Sequence, residues 1–309
     1  MKPHKTGMLD VGDGHTIYYE QHGTGKRQAV FLHGGPGGGS PSAKTIAKLF
    51  DLQRWTVTAF DQRGCGRSRP VLDLHKNTTW DLVADIERLR VHIGVDRWLV
   101  FGGSWGSTLA LAYASRHANR VTGMVLRGVC LMEPWEFDWL YSSAGVARMR
   151  PEGWERFVAG AGLRTTRRVS AGTMMHAYQR RFRNRRTLRA AAHAWADWES
   201  SLSWLDSRTP QANEHMSDAK AAALSVLEHH YFQHNAWIRP GQLLAAARHF
   251  RFPVTIVQGA YDLVCPAASA VALHKSIRHS KLVLTHAGHA AMERPTAVAL
   301  RRATDGFAA

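Results

Sequence analysis

The segment Gly102-Gly103-Ser104-Trp105-Gly106 places a serine among glycines, after a short apolar run and before a helix-patterned one. That is the setting of a nucleophile elbow, G-x-S-x-G. The glycines let the chain bend sharply without a Cβ clash, which holds the hydroxyl above the sheet edge at a helix N-terminus. A serine hydroxyl is a weak nucleophile until a base takes its proton, and the base is a histidine oriented by a carboxylate. The elbow architecture carries them in the order Ser, Asp or Glu, His. Asp262 follows the apolar run ending at Gln258-Gly259, and His289 follows the run ending at Thr285. Both fall on loops at carboxyl ends of strands, where open sheets bind ligands. His286 is the nearest rival, but it lies closer to the strand end and lacks a preceding glycine. The competing role for Asp262 is to cap a helix starting near Pro266. A glycine-rich loop, His33-Gly34-Gly35-Pro36-Gly37-Gly38-Gly39, follows another strand. It leaves backbone N–H groups free for an oxyanion: one donor is Gly35 or Gly34, the other the amide of Trp105. The loop has neither phosphate-binding spacing, G-x-x-x-x-G-K-[ST] or G-x-G-x-x-G.

These residues need a sheet to present them, and the pattern supplies one. Met8 to Glu20 alternates around Asp13-Gly14, a hairpin turn signal. Ala29–Leu32, Val57–Phe60, Trp98–Phe101, Val121–Leu126, Phe252–Val257 and Lys281–Thr285 are short apolar strands. Helical spacing marks Thr78–His92, Thr108–His117, Ala267–Ser276 and Thr296–Phe307. Thr78 with Asp81 three residues on forms a capping box, with Asp in place of Glu or Gln. The alternation specifies an α/β fold, a mostly parallel sheet with helices on its faces. Asp61–Ser68 follows a strand and reads as a turn that buttresses the site, with Cys65 near the pocket. From about Cys130 to Arg248 strands vanish and helical periodicity takes over. The expected division is therefore a catalytic body of residues 1–129 and 249–309, with a helical cap of 130–248. The tryptophans, 11 in all, concentrate in that cap and are expected to pack it onto the body.

Composition bounds the rest. A chain of 309 residues, 45% hydrophobic and 21% charged, is ordinary for a globular protein and excludes collagen-like and disordered classes. No apolar stretch reaches the roughly 20 residues of a membrane span, and the N-terminus carries no apolar leader. Cys65, Cys130 and Cys265 are too scattered for a disulfide framework or a zinc site, so a cytoplasmic setting is expected. His230 and His234 stand four apart on a helix but lack the H-E-x-x-H arrangement of a metal site. The net charge of +16 comes from 40 basic against 24 acidic residues. Between Arg156 and Asp197 there is no acid, while Arg164, Arg167, Arg168, Arg180, Arg181, Arg183, Arg185, Arg186 and Arg189 crowd together. Such runs are usually solvated faces. No zinc-finger or RNA-recognition spacing supports nucleic-acid binding.

Together His33–Gly39, Asp61–Ser68, Gly102–Ser107, Gly259–Pro266 and Ala287–Glu293 resemble the proline iminopeptidase (prolyl aminopeptidase) family of α/β-hydrolases. The pairing of HGGPG with GGSWGS is specific to few hydrolases. The resemblance implies an α/β-hydrolase fold with an inserted helical cap and release of N-terminal proline from peptides. It implies no metal or cofactor, and Ser104, Asp262 and His289 fall on its triad positions. Epoxide hydrolases and haloalkane dehalogenases carry Asp where Ser104 stands. An aminopeptidase must also hold a cationic chain end, and a desolvated ammonium needs a paired negative charge. Glu199, in Trp195-Ala-Asp-Trp198-Glu199, and Glu228, in Leu227-Glu228-His229-His230-Tyr231-Phe232, match positions where the family binds the substrate amine. Asp197 is a weaker substitute for Glu199, and pairing of each glutamate with a cap arginine is the alternative. Cys130 stands where relatives carry a phenylalanine, so Tyr141 or Trp139 would supply the aromatic wall. Ala290-Ala-Met-Glu-Arg294 also departs from the family form, which extends the expected selectivity to other small N-terminal residues. A lidded esterase or amidase is the rival reading, and a non-catalytic binder using the arginine cluster is a second.

Overall fold

Asp13 and Gly14 both take positive φ (56° and 78°). They turn the chain from β1 (Lys5–Gly12) into β2 (His15–His22) as an antiparallel ribbon, the geometry a two-residue hairpin turn needs. The computed structural model describes residues 2–164, 168–206 and 216–308. β3 (Arg27–Leu32), β4 (Trp55–Phe60), β5 (Trp98–Gly103), β6 (Val121–Arg127), β7 (Val254–Gly259) and β8 (Ser280–Thr285) complete one eight-stranded sheet. Its order is β1-β2-β4-β3-β5-β6-β7-β8. β2 meets both neighbours antiparallel and all later pairs are parallel.

The period-2 alternation of the strands divides the core in two. Val30, Leu32, Trp98, Val100, Met124 and Leu126 point to one face. There they pack against α2 (Thr79–His92), α3 (Trp105–His117), α9 (Gln242–Ala247) and α10 (Ala267–Ser276). Ala29, Leu99, Phe101, Val125 and Val257 point to the other face, under α1 (Ala43–Leu49) and α11 (Arg294–Phe307). All six residues of β4 and of β5 are buried, as in sheets covered on both faces. At the start of α2, Asp81 N donates to Thr78 Oγ1 (3.3 Å) and Thr78 N to the Asp81 carboxylate (3.0 Å), the expected capping box. Helix α3 begins at Trp105, three residues before the apolar pattern announces it, because the elbow itself forms its first turn. Helix α1 has no counterpart in the sequence reading. Only Ile46 and Leu49 of it are buried, too few for periodicity to reveal.

Between β6 and β7 lie α4 (Pro134–Tyr141), α5 (Pro151–Gly160), α6 (Ala171–Arg183), α7 (Arg185–Ser203), α8 (Asp218–Gln233) and α9. The expectation that the tryptophans join cap to body needs correcting. Trp154, Trp195 and Trp198 fill a core that α4 to α7 make among themselves, with Phe157 and Tyr178 stacked at 4.8 Å. Four packed helices without a sheet need large side chains to fill their own centre. Trp139 does reach the body, donating from Nε1 to the carbonyl of Leu263 at 2.8 Å. The arginines at the turn between α6 and α7, Arg180, Arg183, Arg185, Arg186 and Arg189, face solvent, and Arg189 pairs with Asp218 at 2.9 Å. Arg167 lies outside the described residues.

Candidate active site

The loops after β3, β5, β6, β7 and β8 all emerge at one edge of the sheet, and each brings one part of the site. Ser104 joins β5 to α3 with φ 58° and ψ −129°, the strained conformation of an elbow. Two glycines allow it. A Cβ on Gly102 would run into the carbonyl of Gly106, and one on Gly106 into that of Leu32. The turn is fixed by Ser104 N donating to Arg127 O (2.8 Å) and by Ser107 N and Oγ donating to Ser104 O (both 2.7 Å).

Two arms of the loop structure stand beside Ser104. A Cβ on Gly34 would lie 3.3 Å from that of Ser104, so the glycine-rich loop passes directly over the serine. Gly38 N closes it onto Gly34 O at 3.2 Å. The amides of Gly35 and Trp105 donate to no acceptor among the described residues. Gln62 ties the arms together: its Nε2 donates to His33 O (3.1 Å), and its Oε1 accepts from Trp105 Nε1 (2.9 Å). His33 is locked neutral in the same web. Its Nδ1 donates to Gly34 O (2.8 Å), its Nε2 accepts from Gln62 N (3.1 Å), and burial pushes its pKa down. The Asp61–Ser68 turn thus supports the site, as its position suggests. Cys65 lies buried behind it, with a thiol pushed far up by desolvation.

Asp262 and His289 meet as the chain order requires. His289 Nδ1 donates to Asp262 Oδ2 at 2.8 Å. The carboxylate also takes Val264 N (3.0 Å) and Cys265 N (2.8 Å) on Oδ1, and Gln258 Nε2 (3.0 Å) on Oδ2. With Nδ1 committed, Nε2 carries the lone pair, and the side chain found there is Arg127, whose NH1 lies 3.0 Å away and also donates to His289 O (2.9 Å). His289 and Ser104 share no hydrogen bond among the described residues. Nε2 is occupied by the Arg127 guanidinium, so the imidazole can accept from another donor only after giving it up. His286, the rival, is exposed and packs edge-on to Tyr261 at 4.8 Å.

Ser104 opens into a cavity lined by Gly35, Trp105, Cys130, Met132, Glu136, Phe137, Leu140, Tyr141, Glu199, Phe232, Val264 and Cys265. Of the two aromatic candidates for its wall, Tyr141 lines it. Its hydroxyl donates to Glu199 Oε1 at 2.8 Å. Glu228, 1% exposed, sits behind Glu199 and accepts from Trp195 Nε1 at 2.7 Å. The two carboxyls are hydrogen-bonded to each other, and burial pushes both pKa values up, Glu228 well above the usual range. Among the described residues neither pairs with a cap arginine. Asp197 is exposed. His230 Nε2 and His234 Nδ1 meet carbonyl oxygens of Asn77 (3.0 Å) and His230 (2.8 Å). No cluster of three or more metal-ligating side chains occurs among the described residues, and no described helix is long and apolar enough to cross a membrane.

Two site residues escaped the sequence reading. Gln258 bridges Asp262 to Val129 N (3.1 Å) and Cys265 O (2.9 Å). Its signal was a polar residue ending an otherwise apolar strand. Arg127 also ends a strand, yet among 31 arginines it carried no distinguishing mark.

The sequence model of the α/β hydrolase fold family matches residues 30–294. A probable proline iminopeptidase of Leptolyngbya boryana is 43% identical over 99% of this chain and 95% of its own length. A proline iminopeptidase of Xanthomonas citri is 44% identical over 99% and 97%, and one of Arabidopsis thaliana 41% identical over 95% and 77%. Among solved structures, an esterase of Thermogutta terrifontis superposes with a TM-score of 0.67 over 99% of this chain and all of its own, at 18% identity. That likeness concerns the fold.

Proposed function

Because this chain belongs to the proline iminopeptidase family of α/β-hydrolases, we propose that it is a serine aminopeptidase releasing N-terminal proline, and other small N-terminal residues, from peptides. The observation that carries this beyond general hydrolase chemistry is the Glu199–Glu228 pair, with Glu199 lining the cavity of Ser104 and Glu228 buried behind it. An ester or a blocked amide presents no cation for it to hold. Residues 130–248 act as the cap that carries the pair, over a body of residues 1–129 and 249–309. The three unpaired cysteines suit a cytoplasmic setting.

In this reading the substrate's N-terminal nitrogen enters against Glu199, and its ring or small side chain lies along Tyr141, Phe232 and Cys130. His289, oriented by Asp262, leaves Arg127 and takes the Ser104 proton as Oγ attacks the first peptide carbonyl. The amides of Gly35 and Trp105, without acceptors among the described residues, receive the oxyanion. The imidazolium gives its proton to the departing amine, and water, activated by the same histidine, hydrolyses the prolyl ester on Ser104. The roles of Ser104, Asp262, His289, Gly35, Trp105, Glu199, Glu228 and Tyr141 are all part of this proposal. No step calls for a cofactor.

The test is a panel of naphthylamides that differ only at the first residue: prolyl, alanyl and N-acetylprolyl. The expected order is prolyl above alanyl, with N-acetylprolyl lower by about 100-fold or more, the scale of leaving a buried charge unpaired. Equal turnover of the blocked substrate would favour the lidded amidase reading instead. Ser104→Ala is expected to abolish turnover of all three.

A further inference from the structure

We infer that the two glutamates of the amine subsite do different jobs: Glu199 is the single anion that meets the substrate's ammonium, and Glu228 is a neutral acid that donates its proton to Glu199. The inference rests on the function proposed above and adds the charge state of its binding site.

The argument begins with geometry. The carboxyls come from neighbouring helices, Glu199 from α7 and Glu228 from α8, and they are hydrogen-bonded to each other. Two carboxylates cannot bond in this way unless one holds a proton, since ionised oxygens only accept. The surroundings then decide which one. Glu199 lines the cavity and receives the Tyr141 hydroxyl, and it feels the nearby His289. Glu228 is behind it, 1% exposed, with Trp195 Nε1 on Oε2. Burial away from the cavity favours the neutral acid at Glu228, whereas the Tyr141 donor and the cavity face favour the anion at Glu199. Among the described residues, the other titratable groups facing the pair are Tyr141 from α4 and His289 from the loop after β8, with Cys130 beyond Tyr141. Burial pushes the Tyr141 hydroxyl well up, so it stays a neutral donor.

The consequence is a subsite of one negative charge. In a low-dielectric cavity, one anion matched to one cation is the favourable count, whereas a dianion would leave charge uncompensated. The N–H donors of a prolyl ammonium, or of a primary one, can be taken by Glu199 oxygens while Glu228 stays protonated. No proton has to leave when substrate binds.

Glu199→Gln and Glu228→Gln separate the roles. An amide at 228 still donates a hydrogen bond, so kcat/KM for prolyl-naphthylamide is expected to fall by less than about tenfold. The amide at 199 removes the only charge, and the expected loss is about 100-fold or more, mainly in KM. Labelling of Ser104 by a fluorophosphonate reports an intact catalytic centre in each variant. A second measurement needs neither variant: calorimetric titration of Ser104→Ala protein with L-prolinamide near neutral pH, in buffers of different ionisation enthalpy. No net proton exchange is expected. Equal losses in the two glutamine variants, or release of about one proton on binding, would overturn the inference. If unsubstituted protein turns over N-acetylprolyl and prolyl substrates alike, the aminopeptidase reading fails instead.

Discussion

The Asp262 carboxylate receives four hydrogen bonds, from Val264 N, Cys265 N, Gln258 Nε2 and His289 Nδ1. Its orientation is therefore fixed before substrate arrives, as the proposed role of orienting His289 requires. Asp262→Asn presents an amide N–H or oxygen to a ring that needs an acceptor. It is expected to lower kcat by about 10⁴-fold with the melting temperature little changed. Gln258 acts one step further out as a positioning residue. Gln258→Leu strands Val129 N and frees Asp262 Oδ2 from one donor, costing about 1–3 kcal/mol of stability. It should lower kcat more than it changes KM, because Gln258 does not line the cavity. A fall confined to the melting temperature would make its role structural only. Ser104 and His289 were legible because each directly follows a glycine after an apolar run, and Asp262 because it comes soon after the run ending at Gln258-Gly259, in the expected chain order. Arg127 was not, since its contact with His289 Nε2 joins residues 162 apart in sequence.

At the scale of elements, the site is made by strand order. β3, β5, β6, β7 and β8 are parallel neighbours, so the loops that follow them share one edge of the sheet. Helix α2 shows what lies outside this machinery. Its capping box at Thr78 satisfies orphan N–H groups at a distance from the cavity, and Thr78→Ala should cost about 1 kcal/mol in chemical denaturation while kcat stays as it is. A change in kcat would mean that α2 reaches the site through Arg63. That arginine is clamped by Asp85 (2.6 and 2.8 Å) and holds the loop after β4. The alternation of buried strands and amphipathic helices was readable from the sequence. Helix α1 was not, because two buried side chains in seven residues make no period.

For the molecule as a whole, buried carboxyls give the stability a defined pH dependence. Asp61 is held below the usual range: burial opposes this, but the amides of Arg67 and Ser40 outweigh it. Its contribution is present above the unfolded value of about 4 and is lost as pH falls through the lower folded value. Glu228 has the opposite sign. Desolvation raises its folded value, so its contribution is complete below about 4.3 and is lost as pH rises through the raised value. Asp61 therefore steepens the loss of stability toward acid, and Glu228 the loss toward alkaline pH. Glu228→Gln should flatten the fall toward alkaline pH and leave the acid side alone. An unchanged alkaline slope in thermal scans would show that the pair does not hold a proton in the folded state.

Composition, glycine placement and the order of serine, aspartate and histidine determined the fold class, the elbow and the identity of the triad candidates, because local steric needs and strand periodicity are written in neighbouring residues. What α7 and α8 bring together was decided only by folding. Whether Glu199 and Glu228 face one cavity, which of them touches it, and which side chain waits on His289 depend on helix packing over distances that no local pattern records. Proton affinity follows burial, and burial belongs to the folded chain.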